Sequence, residues 1–486
     1  MRCIGIDVGT NSARAAAVEH GRLSAVFQQG YSIAYPGPGA AEQDPQAWYR
    51  AALGAARRAA QAGGGSAQGL CFSTQGGCLV PVDALGAPLM PAISWLDTRA
   101  RAQAQALLQA RSAEEWLRVT GAVPGAYSFL SHLLWLRQER PDVFSRAALF
   151  LTTLDYLNLR LTGRAVLDRT NAQMTGMLDL RTGQWDAFSL ELAGIGPEKL
   201  PQILPSGCEV GRLTARAAAD AGMAEDTRVF NGVHDQYACA LGGGATKPGE
   251  AVLSCGTAWV LLAATKSLLQ EESGALACGF HALPGLYGAF YAVSAGCQTL
   301  NWTLAQTGLS GVPLEEVNRE CAGRAEKNAG LLFYPYLAGD VPLNGQPCRA
   351  TLCGMRLDMD AYDIALAAME AVAFEMARAL PLFARHGAAP ERLVMVGGAA
   401  QSGLWADIVA NVTGLPVVRP DVREAALLGA AALGACAGEG WRPIELAPGL
   451  PAMAPDAVRG AFYREKLARY LQGLPHAAAL SQAAGG

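Results

Sequence analysis

Charge is scarce in this sequence. Only 16% of the 486 residues are Asp, Glu, Lys or Arg, and the formal net charge is −4. No long basic run occurs, so the cationic stripe of a nucleic-acid reader is missing. With 51% of residues apolar, the chain is also too hydrophobic to be disordered. The most notable uncharged apolar stretch, AALLGAAALGACAG at 425–438, is too short to span a bilayer and is rich in small residues. It predicts a helix buried against another backbone. No signal-peptide pattern opens the chain, which goes directly into strand-like sequence. The twelve cysteines are scattered without paired C-x-x-C motifs, and the nearest pair, Cys348 and Cys353, has no matching histidines. They read as reduced small hydrophobes of a cytoplasmic protein. The pattern G-x-x-x-x-G-K-[ST] is absent, which excludes a P-loop as the phosphate device.

The length suggests two domains. Strand-like segments at 3–7, 70–73, 251–253, 259–263 and 392–396 alternate with helical ones at 44–62, 361–385 and 404–413. That alternation predicts an α/β architecture. The tail after Pro475 is small and polar and predicts fraying. DVGTNS follows a strand near the start, and SCGTAW follows one just past the middle. Both put Gly-Thr in a turn between apolar segments, which suggests an internal duplication. LGGGATKPGEA at 241–251 looks like the junction between the two halves.

Asp7 ends the first apolar strand, and Gly9, Thr10, Asn11 and Ser12 follow. Glycine permits close backbone approach, turn N–H groups bind anions, and Arg14 supplies a fixed charge suited to phosphate. Asp7 is then a hard oxygen ligand for the magnesium that accompanies phosphates. The plain alternative is a solvated hairpin turn. Gly256 and Thr257 offer a second donor set, or an ordinary strand turn. Gly397 and Gly398 leave a strand where a base or ribose could lie, with Ser402 beyond. The alternative is a strand–helix connection with Ser402 as the N-cap. Asp235 follows a short apolar strand and precedes a small-residue helix. It is placed to accept a proton from an attacking hydroxyl, or to cap that helix. His234 reads as its hydrogen-bonded structural neighbour. Gln75, Gly76 and Gly77 end another strand. Trp95, Asp97 and Arg99 suit a polyhydroxylated ligand, or form a surface salt bridge beside a core tryptophan.

In this order, the elements resemble the FGGY carbohydrate kinase family, and within it the xylulokinases. The most specific match is ATLCGMRLDMDAYDIALAAME at 350–370, similar to the family's C-terminal signature at every defined position. AEQDPQAWY at 41–49, PAISWLDTRA at 91–100 and FYPYLAGD at 333–340 resemble further family segments. The resemblance implies an actin-like ATPase fold: two ribonuclease-H-like domains with a cleft between them, here residues 1–243 and 244–486. It implies sugar bound mainly by the first and ATP mainly by the second. Asp235 matches the catalytic base, sharing the Mg2+ with Asp7. Thr10, Asn11 and Arg14 match the first phosphate loop, and Gly256-Thr257 the second. Asn301, Gly398 and Ser402 match positions near the nucleotide. Gln75, Gly76, Gly77, Trp95, Asp97, Asp235 and Gln236 are the expected sugar contacts.

The implied reaction is transfer of the ATP γ-phosphoryl group to a primary hydroxyl of a small ketose, D-xylulose first. Ribulose, a hexulose or a sugar alcohol stand as alternatives. A partner-switching ATPase like actin or the heat-shock chaperones is the rival of another class. The implied partner is a small sugar, without nucleic acid or membrane, and a homodimer is in keeping with many relatives. The chain departs from the family in three places. His132 stands where lysine is usual. Gln75-Gly76-Gly77 replaces Q-M-H or Q-Q-H, which predicts an enlarged pocket. Gly339-Asp340-Val341-Pro342 lacks the arginine of G-E-R-T-P.

Overall fold

Residues 2–19, 22–64, 67–270, 272–293, 295–337, 348–444 and 449–484 are described by the computed structural model. In chain order, the elements that position the site begin with β1 (Cys3–Val8), β2 (Ser12–Glu19), α1 (Pro45–Ala62) and β3 (Gly69–Thr74). There follow α2 (Thr153–Thr162), β4 (Arg228–His234), α3 (Asp235–Gly243), β5 (Glu250–Cys255) and β6 (Trp259–Thr265). Then come α4 (Cys297–Gln306), α5 (Ala361–Arg385), β7 (Arg392–Val396) and α6 (Gly403–Thr413). The chain closes with β8 (Val417–Arg419), α7 (Ala425–Ala435) and α8 (Ala457–Ala483).

Two compact units result. Unit 1 is Met1–Thr246 with Lys266–Gly288 and Glu424–Leu446. Unit 2 is Lys247–Thr265 with Ala289–Arg423 and Ala447–Gly486. Two later segments of the chain return to unit 1. The reason is visible in α7. Its apolar small residues are buried throughout, and it packs on α3 and β1. A Cβ on Gly429 would lie 2.0 Å from the Ala238 carbonyl oxygen, and one on Gly242 would lie 1.9 Å from that of Ala425. Glycine is what lets the two helix backbones touch. The buried-helix expectation for 425–438 is met here.

The duplicated Gly-Thr turns sit on equivalent frames. In unit 1, β1 pairs antiparallel with β2 and parallel with β3, and β3 pairs parallel with β4. In unit 2, β5 pairs antiparallel with β6 and parallel with β7, and β7 pairs parallel with β8. β1 is flanked on both sides, which is why CIGIDV is nearly uniformly buried rather than alternating. Asp44 caps α1 by accepting from the Gln46 N–H at 2.8 Å, so the helix starts one residue later than the pattern suggested.

One expectation fails at the C-terminus. The tail does not fray at Pro475, because α8 runs through it to Ala483. Leu474, Ala477 and Ala478 are buried, and the Ser481 hydroxyl accepts from the Arg349 N–H at 2.8 Å. Packing thus outweighs the missing proline N–H. No helix among the described residues is long and apolar enough to cross a membrane. The departure at 339–342 lies outside the described residues.

Candidate active site

In unit 1, three parallel strands end together. Asp7 of β1 is level with Ser73 of β3, and Ser73 is level with Val233 of β4. The carboxyl ends of such strands are where α/β sheets place their ligands. The Ser73 hydroxyl donates to Asp7 Oδ1 at 2.7 Å. Burial pushes the Asp7 carboxyl up to about 6; the Ser73 hydrogen bond opposes this, and the charge of Asp235 adds to it. A buried carboxyl with a second carboxylate close enough to act on it is a fitting place for a hard cation. No group of three or more His, Cys, Asp and Glu side chains among the described residues forms a dedicated cage. A metal held by one or two carboxylates and by phosphate oxygens does not need one.

The turn after β1 is held from several sides. The Gly9 N–H donates to the Ser12 carbonyl at 3.1 Å. The Tyr31 hydroxyl donates to the Gly9 carbonyl at 2.5 Å and lies 3.1 Å from that of Ser12. Gln43 Nε2 donates to the Thr10 carbonyl at 2.7 Å, and Trp95 Nε1 reaches Thr10 Oγ1 at 3.3 Å. Gln75 Nε2 donates to Gln43 Oε1 at 3.1 Å. The wall and the loop are therefore one network. A Cβ on Gly9 would meet nothing closer than 3.8 Å. The protein itself leaves open the space that this glycine provides. Arg14 is paired with Glu424 at 3.0 Å, so its charge is already partly offset.

Asp235 is the first residue of α3, and the N-cap is His234. The carboxylate is not used as a cap, which removes the plain alternative for this residue. Asp235 Oδ1, Gln236 Oε1 and Gln75 Oε1 are buried and have no hydrogen-bond partner among the described residues. Such unpaired oxygens each cost about 1–3 kcal/mol unless a donor pairs them, and for the two glutamine oxygens a polyol supplies hydroxyl donors.

Two expected substrate contacts are corrected. Asp97 is fully buried. Its Oδ2 accepts from the Ala41 N–H at 2.7 Å and Arg99 Nε at 2.8 Å, and its Oδ1 accepts from the Arg99 N–H at 2.9 Å. It braces the loop that carries Trp95, which is 41% exposed and remains able to contact a ligand. The glycine pair does not simply enlarge the pocket either. A Cβ on Gly76 would fall 2.8 Å from His234 Cδ2 and 2.9 Å from Met174 Cγ, so those side chains fill the space. Gly77 has φ +74 and is needed for the turn. His132 is buried, with Nε2 3.1 Å from the Asp97 carbonyl oxygen. Burial pushes its imidazole down to about 4, so it is neutral.

Unit 2 repeats the turn. Gly256 and Thr257 link β5 to β6. Their carbonyls accept from the Cys297 and Gln298 N–H groups at 3.1 and 3.2 Å, which ties the start of α4 to the loop. Asn301 is exposed on α4. Gly397 has φ +93, and a Cβ there would meet the Cys255 carbonyl oxygen at 2.8 Å. Its presence is thus structural. Gly398 has nothing within 4 Å of a Cβ, so it is open to a ligand. Ser402 is corrected to the alternative weighed for it. It is buried, accepts from the Trp405 N–H at 3.0 Å as the N-cap of α6, and donates to Asn318 Oδ1 at 3.0 Å.

Sequence reasoning missed Tyr31, Gln43, Ser73 and Met174 as parts of this site. Only Gln43 and Ser73 carried a local signal, as polar residues beside motifs already singled out.

Comparison with known proteins agrees with this geometry. Residues 2–242 match the N-terminal domain, and 251–438 the C-terminal domain, of the FGGY family of carbohydrate kinases. The chain is 30% identical over 480 residues to a xylulose kinase of Escherichia coli strain K12, covering 95% of this chain and 96% of the relative. It is 27% identical over 445 residues to a gluconokinase of Bacillus subtilis strain 168, covering 89% and 86%. The crystal structure of xylulose kinase from Rhodospirillum rubrum superposes with TM-score 0.89 at 27% identity, covering 98% of this chain and all of that one. The chain belongs to the FGGY family of carbohydrate kinases and is a sugar kinase on the actin-like ATPase fold.

Proposed function

We propose that this kinase transfers the γ-phosphoryl group of ATP to a primary hydroxyl of a small neutral ketose, with D-xylulose as first candidate. The observation that carries the reading is Asp235. Its carboxylate stands at a helix start without capping it, beside Gln236 and Gln75 oxygens that also lack partners among the described residues. Asp235 accepts the proton of the attacking hydroxyl. Gln75, Gln236 and Trp95 orient the sugar. The turn of Gly9, Thr10, Asn11 and Ser12 in unit 1 and the turn of Gly256 and Thr257 in unit 2 are each suited to phosphate oxygens through backbone N–H groups and hydroxyls. Asn301, Gly397 and Gly398 lie toward the base and ribose. Asp7, with Asp235, would hold a Mg2+ ion, whose chemistry is to offset the charge of the phosphoryl group in transfer.

The Bacillus relative makes gluconate the competing substrate. A carboxylate ligand calls for a cation. Two arginines of the unit 1 loops are engaged: Arg14 with Glu424, and Arg99 with Glu42 and Asp97. This favours a neutral sugar. The experiment is ADP release from Mg-ATP with D-xylulose, L-xylulose, both ribuloses, D-fructose, glycerol, xylitol, gluconate and no sugar. Strong stimulation by D-xylulose alone supports the reading. A gluconate response overturns the neutral-ketose assignment. Stimulation by unfolded peptide and by no sugar would overturn the kinase mechanism.

A further inference from the structure

We infer that His234 is a positioning residue for Asp235, accommodated by the glycine at position 76. The inference rests on Asp235 being the base. His234 Nδ1 lies 3.4 Å from Asp235 Oδ1. Both atoms are buried, and neither has a hydrogen-bond partner among the described residues. One can carry a proton and the other can only accept, so each is the available partner of the other. A small reorientation that brings the Nδ1–H into line with Oδ1 turns the pair into a charge-assisted hydrogen bond.

The side chain of Asp235 is 33% exposed although Oδ1 is buried. Oδ2 is thus the oxygen left for a substrate hydroxyl. Holding Oδ1 from behind fixes the plane of the carboxylate and aims Oδ2. The ring is itself fixed. The His234 backbone N–H donates to Thr170 Oγ1 at 2.9 Å, which holds the main chain, and Tyr237 stands edge-on to the ring with centroids 6.3 Å apart. The far edge of the ring, Cδ2 and Nε2, occupies the volume that any side chain at position 76 would need, at 2.8 and 3.0 Å from a Cβ built there. The histidine before the acid and the glycine in the wall are therefore one sterically matched pair.

The test is steady-state kinetics with Mg-ATP and the best sugar of the panel, on His234→Asn, His234→Gln and His234→Leu. An asparagine amide replaces Nδ1, whereas a glutamine amide replaces Nε2. Leu and Gln are expected to lower kcat about tenfold or more with sugar KM little changed, and Asn to stay within a few-fold of wild type. Gly76→Ala is expected to lower kcat in the wild type and to do less harm in the His234→Asn background, where the clashing ring edge is gone. Equal kcat in all three variants, equal losses for Asn and Leu, or a loss confined to sugar KM overturns the inference. Asp235→Asn separates the two readings. If it is inactive while the His234 series is flat, the base stands and the positioning role falls. If it stays active, the assignment of the base falls as well.

Discussion

Individual side chains here are held at a cost to stability that function explains. Asp7 has an ordinary value of 3.8 and is raised to about 6, chiefly by burial. A carboxyl raised in the folded state contributes stability that is full below 3.8 and lost as pH rises through about 6. At neutral pH, keeping it ionised costs about 3 kcal/mol. Asp7→Asn is therefore expected to raise the chemical-denaturation midpoint at pH 7.5 and to abolish phosphoryl transfer. An inactive variant that is no more stable than wild type would mean that the charge is already relieved in the free enzyme. Asp235→Asn should fold normally and lose sugar-dependent turnover by about a hundredfold or more. Asp7 and Asp235 were legible from residue type and place in the sequence, at the end of an apolar strand and the start of a helix. Asp97 was not. Whether a carboxylate meets a ligand or braces a loop depends on the backbone N–H of Ala41 and the guanidinium of Arg99, and the first is remote in the chain.

At the scale of elements, helix packing decides where Asp235 stands. α3 begins at Asp235 and is seated against α7 through Gly242 and Gly429. Gly429→Ala is expected to lower stability by about 1–3 kcal/mol, because a methyl group 2.0 Å from the Ala238 carbonyl forces the helices apart. A thermal melt reads the effect, and kcat should fall with it as α3 shifts. α2 makes the pH prediction. Its capping box has Asp155 Oδ1 accepting from the Thr152 N–H at 2.8 Å. Burial raises the Asp155 carboxyl to about 7. The neutral acid is thus the form that the fold prefers, and its contribution is lost as pH rises from the ordinary 3.8 through about 7. Melting the wild type and Asp155→Asn side by side should show the difference shifting toward the variant between about pH 4 and about pH 7. A pH-independent difference would place the ionisation elsewhere. The helices 44–62 and 361–385 could be read from periodicity and caps. The extension of α8 past Pro475 could not, because it rests on burial against distant segments.

For the molecule as a whole, the two units carry separate cores and separate parts of the chemistry. Unit 2 contains a fully buried ion pair, Lys466 Nζ to Glu370 at 2.6 Å, and that ammonium also donates to the Asn328 carbonyl at 2.9 Å. Lys466→Met leaves an uncompensated buried carboxylate and is expected to cost about 3–5 kcal/mol. Hydrogen exchange should then rise in β5 and β7 peptides more than in those of β1 and β3. Uniform loosening of all four strands would show that the units unfold together.

Sequence alone determined the α/β class, the duplicated strand–turn frames, the family and the two acids proposed for the chemistry. These follow from patterns local in the chain: apolar runs, turn glycines and a carboxylate at a strand end. Only the tertiary structure decided that 266–288 and 424–446 belong with unit 1, that Ser402 is a cap, and that His234 fills the space beside Gly76. Each of those depends on which distant backbone or ring comes within a few ångströms, and no local pattern encodes that distance.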